Sequence, residues 1–132
     1  MMAKKFTIVG AILLILGVVL GAFGAHALKQ VLVEYPDKIS SFETGIRYQI
    51  YMGFSFLIIG LNEEKLKFSL KPIFTLWLLG VLFFSCSIYF LSLQPILTIS
   101  LKFLGPITPI GGLLIISGWI VFLFKVLKMS KI

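Results

Sequence analysis

The sequence predicts an all-α membrane protein: four transmembrane helices packed as a compact left-handed bundle, forming a single domain over residues 1–132. Two observations carry this. Of the 132 residues, 59% are hydrophobic and 13% charged, against roughly 45–50% and about 25% in soluble domains. Crossing about 30 Å of hydrocarbon takes roughly 20 apolar residues at about 1.5 Å each, and four stretches near that length lie between charges.

The first stretch, residues 6–28, runs from Phe6 to Leu28 and is uncharged apart from His26. Its apolar run to Ala25 exceeds the roughly 7–15 residues of a signal-peptide core. Lys4, Lys5 and the Ala25, His26, Ala27 triplet therefore read as flanks of a retained anchor rather than as a leader with a cleavage site. The second stretch, residues 42–61, begins with Glu43 and Arg47, with Ser41 placed to cap it and Tyr35, Pro36 and Asp37 before it read as a turn. The third, residues 72–93, is uncharged, and Pro72 suits a first helical turn. The fourth, residues 103–124, is uncharged but irregular at Pro106, Pro109 and Gly111-Gly112, so its helix is expected to begin near Pro106 or Pro109.

The net charge of +7 lies in short flanks and forms no dense basic face, so it reads as topology and not as nucleic-acid binding. Lys4, Lys5, Lys65, Lys67, Lys71, Lys125, Lys128 and Lys131 fall on one side of four spans, and Lys29, Lys38 and Lys102 on the other. Lysine and arginine accumulate on the cytoplasmic side, which places both termini in the cytoplasm. The connection over residues 62–71 is too short to hold a soluble domain, so whatever the protein does happens in or at the bilayer.

Lipid tails are as apolar as leucine, so helices associate in a membrane through close backbone approach at small residues and through hydrogen bonds. Gly10, Gly17 and Gly24 recur every seven residues, as do Gly80 with Ser87 and Gly111 with Gly118. Gly17, Gly21 and Ala25 form a small-xxx-small series, and Gly112 adjoins Gly111. A spacing of seven keeps one stripe toward a partner in a left-handed crossing, and these glycines are assigned to packing.

With alternating topology, polar groups from all four helices reach the same outer level: His26; Glu43, Arg47, Tyr48 and Gln49; Ser85, Ser87 and Tyr89; Thr108. Glu43 and Arg47 share a helix face four residues apart. They read either as an interfacial ion pair with a snorkelling arginine or as the border of a polar pocket. His26 is the sole histidine and Cys86 the sole cysteine, too few ligands for a zinc site. No phosphate loop, nucleophile elbow, zinc-protease or dinucleotide fingerprint is present, so no catalytic residue, metal or cofactor is assigned.

Four blocks taken together resemble the DUF423 family, also called UPF0382: GAFGAHALK over residues 21–29, ETGIRYQIY over 43–51, FSCSIYFLSL over 84–93, and TPIGG over 108–112 followed by Gly118-Trp119. They sample every helix in order. The resemblance implies a small bacterial inner-membrane protein and directs attention to Gly21, Phe23, Gly24, His26, Glu43 or Thr44, Tyr48, Gln49, Ser85, Ser87, Tyr89, Thr108, Pro109, Gly111 and Gly112. It implies no activity. Two departures from the family pattern are Met52, where a histidine is usual, and Cys86, where a glycine is common; the first removes any mechanism needing two histidines.

The expected function is that of a non-enzymatic integral membrane protein whose outer polar cluster binds a small ligand, a lipid head group or a partner helix. The alternative is a small transporter or channel, which would require oligomerisation because the first helix holds no carboxylate. The expected surroundings are the lipid bilayer and a partner membrane protein or further copies of the chain, with no nucleic acid.

Overall fold

A computed structural model describes residues 1–129; Lys131 of the charge argument lies outside the described residues. Within them the chain folds as four helices: α1 (Met2–Val31), α2 (Pro36–Leu61), α3 (Lys71–Leu97) and α4 (Ile107–Leu127). Three segments, Met2–Val31, Lys71–Leu97 and Lys102–Leu127, are long and apolar enough to cross a membrane. α2 has the length, at 26 residues, but Glu43, Arg47 and Gln49 dilute its apolar character.

α2 starts six residues before the expected Phe42. Pro36 occupies its first turn and Asp37 follows, so the residues read as a loop turn instead open the helix. Proline fits there because its missing N–H has no intrahelical partner and its φ is already helical, while a carboxylate near a helix N-terminus is favourable. Ser41 is consequently inside α2 and caps nothing. α3 runs past Pro95 to Leu97 and stops at Thr98, whose φ of 53° is left-handed. Two helices contain a wider π-turn, Gly24–Leu28 in α1 and Leu82–Cys86 in α3.

Helices adjacent in sequence pack together: α1 on α2, α2 on α3 and α3 on α4. The larger core gathers Phe6, Phe56, Phe74 and Trp77 from α1, α2 and α3, with ring centroids 5.0–6.5 Å apart and mostly edge-on, as aromatic quadrupoles prefer. A smaller core joins Leu28 and Leu32 to Phe42 and Ile46.

Glycines set how closely the backbones meet. A Cβ on Gly10 would stand 2.8 Å from the Gly53 carbonyl oxygen across the α1–α2 seam, and one on Gly80 would stand 3.1 Å from the Gly111 carbonyl oxygen across α3–α4. Gly17, Gly24 and Gly118 are also buried against neighbouring side chains. Gly21 is the exception among the expected packing positions: a Cβ there would meet nothing within 4 Å. The seam on α1 follows the spacing of seven, and a helix with one main partner covers one stripe only. Gly112 makes ordinary contact with the Phe84 ring.

One end of the molecule collects the basic flanks. Glu63, in the α2–α3 connection, accepts hydrogen bonds from the backbone N–H of Met2 at 3.2 Å and of Ala3 at 2.6 Å, supplying acceptors that the first turn of a helix lacks. Lys125 near the end of α4 places Nζ 5.5 Å from the Phe68 ring centroid. The start of α1, the α2–α3 connection and the end of α4 therefore sit together, with Lys4, Lys5, Lys65, Lys67, Lys71, Lys125 and Lys128.

Candidate functional site

The polar residues expected at one level sort into two groups. Gln49, Ser85, Ser87, Tyr89 and Thr108 join helices. His26, Glu43, Arg47 and Tyr48 are exposed and line none of the hollows described below. Glu43 and Arg47 share a face of α2 without an ion pair between them, and His26 lies on the exposed side of the α1 π-turn, so the three ionisable groups do not converge. Tyr48 packs its ring on Phe84, 5.0 Å between centroids.

The joining group begins with Gln49, only 5% exposed. Its Nε2 donates to the Leu13 carbonyl oxygen at 2.8 Å, and its Oε1 accepts the Tyr89 hydroxyl at 2.6 Å. One residue of α2 thus bridges α1 and α3, and a buried amide needs such partners because leaving it unmet is costly. One turn earlier, Gly45 offers its carbonyl oxygen to the Ser85 hydroxyl at 2.9 Å. A Cβ on Gly45 would lie 2.7 Å from Tyr89 Cε1, so the absent side chain is what admits the tyrosine ring. Gly45 was not singled out from sequence; its place four residues before Gln49, on the same face, was the available signal.

The π-turn in α3 ends at Cys86, next to Ser87. There the Ser87 and Thr108 hydroxyls meet at 2.6 Å, linking α3 to α4, and Ser87 also donates to the Phe84 carbonyl oxygen at 3.0 Å. Extra residues in a π-turn commonly occur where a helix must aim side chains at a site.

Two hollows flank the Ser87–Thr108 link. One, of about 280 Å³, is apolar and lies between α3 and the start of α4, with Leu82, Cys86, Phe90, Ile107 and Ile110 among its walls. The other, of about 230 Å³, is bounded by Lys38 and Ser41 of α2, Ile88, Leu91 and Ser92 of α3, and Thr108 of α4. Lys38 also borders a wider outer depression of about 500 Å³ with Tyr35, Gln94, Ser100 and Lys102. The apolar hollow thus lies beside one whose mainly apolar wall also carries a lysine and three hydroxyl side chains. Among the described residues, no group of three or more His, Cys, Asp or Glu stands ready for a metal ion.

The blocks that supply these side chains lie within a wider match: residues 20–112 fit the family described as "Protein of unknown function (DUF423)". The chain belongs to the DUF423 family. A UPF0382 membrane protein of Staphylococcus haemolyticus is 40% identical over 95% of this chain and 97% of its own length. A UPF0382 membrane protein of Staphylococcus epidermidis is 40% identical over 96% and 98%, and the UPF0382 membrane protein YwdK of Bacillus subtilis is 36% identical over 95% and 98%. These DUF423 relatives are bacterial membrane proteins that match along almost their entire length. No solved structure matches.

Lys38, Ser41 and Ser92 were not assigned to a site from sequence. Ser92 lies inside the FSCSIYFLSL block, but Lys38 and Ser41 were read as loop residues because α2 was started at Phe42. Once α2 begins at Pro36, they are three apart on one helix and share a face.

Proposed function

We infer that the protein is a non-enzymatic, four-crossing membrane protein that holds an amphiphile at the junction of α2, α3 and α4. The observation carrying this reading is the pair of hollows on either side of the Ser87–Thr108 link, one apolar, the other bordered by Lys38, Ser41, Ser92 and Thr108 together with Ile88 and Leu91. An acyl chain suits the first and a polar head the second. The joined residues Gln49, Tyr89, Ser85 and Gly45 brace the helices that form the walls.

α2 serves as the fourth crossing. At about 1.5 Å per residue its length is ~39 Å, some 9 Å beyond a hydrocarbon core of about 30 Å, so its first six residues, Pro36 to Ser41, stand at head-group level. Its polar side chain Gln49 turns inward to partners and its opposite face offers Phe54, Ile58 and Leu61 to lipid. The basic end faces the cytoplasm by the lysine bias, which puts the hollows in the outer leaflet.

Native mass spectrometry of the full chain, released gently from membranes, tests the reading. The wild type is expected to retain an amphiphile, and Cys86→Trp, which fills the apolar hollow, is expected to lose it. A wild-type chain that carries none, or a Cys86→Trp chain that carries as much, overturns the reading.

A further inference from the structure

Ser92 is the observation the bracing network does not absorb. Ser55, Ser117, Thr7 and Thr75 each donate to the carbonyl four residues back, the usual outlet for a hydroxyl inside a helix. Ser92 is 1% exposed and its Oγ has no partner, yet the residue borders the hollow between α2, α3 and α4, whose wall is otherwise largely apolar. Buried hydroxyls are almost always hydrogen-bonded, so this one marks a place for an acceptor that a ligand brings.

The charge around it identifies the acceptor. Lys38 stands at the boundary between the hollow and the outer depression, and Lys102 lies on the rim of that depression. No aspartate or glutamate lines either space. Among the described residues Lys29, Lys38 and Lys102 lie away from the basic end of the molecule, against the general charge bias; Lys38 borders both the hollow and the depression, and Lys102 borders the depression. Ammonium groups with serine hydroxyls suit an oxygen-rich anion, and charge-assisted bonds of this kind are stronger than neutral ones. The volume, about 230 Å³, is far above the roughly 10–15 Å³ that a single water needs.

We propose that the hollow between α2, α3 and α4 binds a phosphate group, held by Lys38 Nζ and the hydroxyls of Ser41 and Ser92, with Lys102 drawing it in from the rim. This rests on the amphiphile reading and names the head group. Thr108 completes the wall, and its link to Ser87 ties the phosphate pocket to the apolar hollow beside it.

The test uses the full chain in nanodiscs of phosphatidylcholine, with or without phosphatidylglycerol, and in phosphatidylcholine with added inorganic phosphate. Both the unfolding temperature and the lipid retained in native mass spectra are measured. Phosphatidylglycerol is expected to raise the unfolding temperature above the phosphatidylcholine value and to be the lipid retained. Lys38→Gln is expected to abolish that shift, Ser92→Ala to weaken retention about tenfold, and Lys29→Gln, outside the hollow, to behave as wild type. Ser92→Ala removes no hydrogen bond within the chain, so its fold stays intact and the loss reports on the ligand. Protection by inorganic phosphate alone would make free phosphate the source; protection by phosphatidylglycerol alone would make it a head group. Retention of a lipid without preference for phosphatidylglycerol, or with Lys38→Gln and Ser92→Ala unaffected, overturns the phosphate assignment while leaving amphiphile binding standing. Retention of no lipid and no response to phosphate overturns both.

Discussion

The Tyr89 hydroxyl reaches Gln49 Oε1 at 2.6 Å while Gln49 Nε2 reaches the Leu13 carbonyl oxygen at 2.8 Å, so a single amide holds three helices in register. Hydrogen bonds between membrane helices are worth about 0.6 kcal/mol on average and up to about 1.7. Tyr89→Phe is expected to lower stability within that range, and Gln49→Leu to cost more because it strands the tyrosine hydroxyl. A double-mutant cycle read by unfolding in mixed micelles should return a coupling energy of about 0.5–1.7 kcal/mol. Additive losses would mean that the two side chains do not interact.

Glycine substitutions should separate by what a methyl group would meet. Gly45→Ala pushes on the Tyr89 ring and Gly111→Ala on the α3 backbone at Phe83 and Phe84, whereas Gly21→Ala enters open space. Overpacking typically costs about 1–3 kcal/mol. Gly111→Ala is expected to be the most damaging because backbone cannot rotate away, Gly45→Ala intermediate, and Gly21→Ala neutral or slightly stabilising, as alanine favours helix. Unfolding midpoints of the three variants under one set of conditions provide the ranking.

Thr98 ends α3 with a left-handed φ of 53°, a conformation that costs a residue with a side chain roughly 1–2 kcal/mol. Thr98→Gly should therefore stabilise the chain by about 0.5–1 kcal/mol, measured by the same unfolding assay. A destabilised variant would show that the threonine side chain contributes more than its backbone strain.

Glu63 supplies acceptors to the first turn of α1 from the other side of the sequence. Glu63→Ala is expected to cost about 1 kcal/mol, the usual value of a lost N-terminal cap. Faster amide exchange confined to the start of α1 is the expected signature.

The proposed fourth crossing, α2, would place Ser41 and Ser69 on opposite sides of the membrane. In a Cys86→Ser background, Ser41→Cys should react with an impermeant thiol reagent from outside and Ser69→Cys only after permeabilisation. Equal reactivity of both positions would mean that α2 does not cross.

The apolar stretches were legible because each is long, uncharged and bounded by lysines, and α1, α3 and α4 follow directly. Legibility failed at the start of α2, where Pro36 and Asp37 serve a helix N-terminus as readily as a turn. That misplacement hid Lys38 and Ser41 as wall residues. Sequence depth brought Gln49, Ser87, Tyr89 and Thr108 to one level, but depth says nothing about rotation around a helix axis, so His26, Glu43 and Arg47 were grouped with side chains that face elsewhere. The π-turns could not be read at all, since neither GAHAL nor LFFSC carries a residue that demands one.

Those turns have a consequence for how the chain tolerates change in length. A π-turn accommodates one residue more than a regular turn, so Leu82–Cys86 acts as an insertion absorbed within an unbroken helix. Deleting one residue there would restore regular hydrogen bonding to α3 and at the same time swing everything after it by about 100°. Tyr89 would leave Gln49, Ser87 would leave Thr108 and Ser92 would turn out of the hollow, all through one codon and without altering any of the three side chains. Helical continuity and the bracing of the site are thus in opposition at this point, and the surplus residue resolves it in favour of the site.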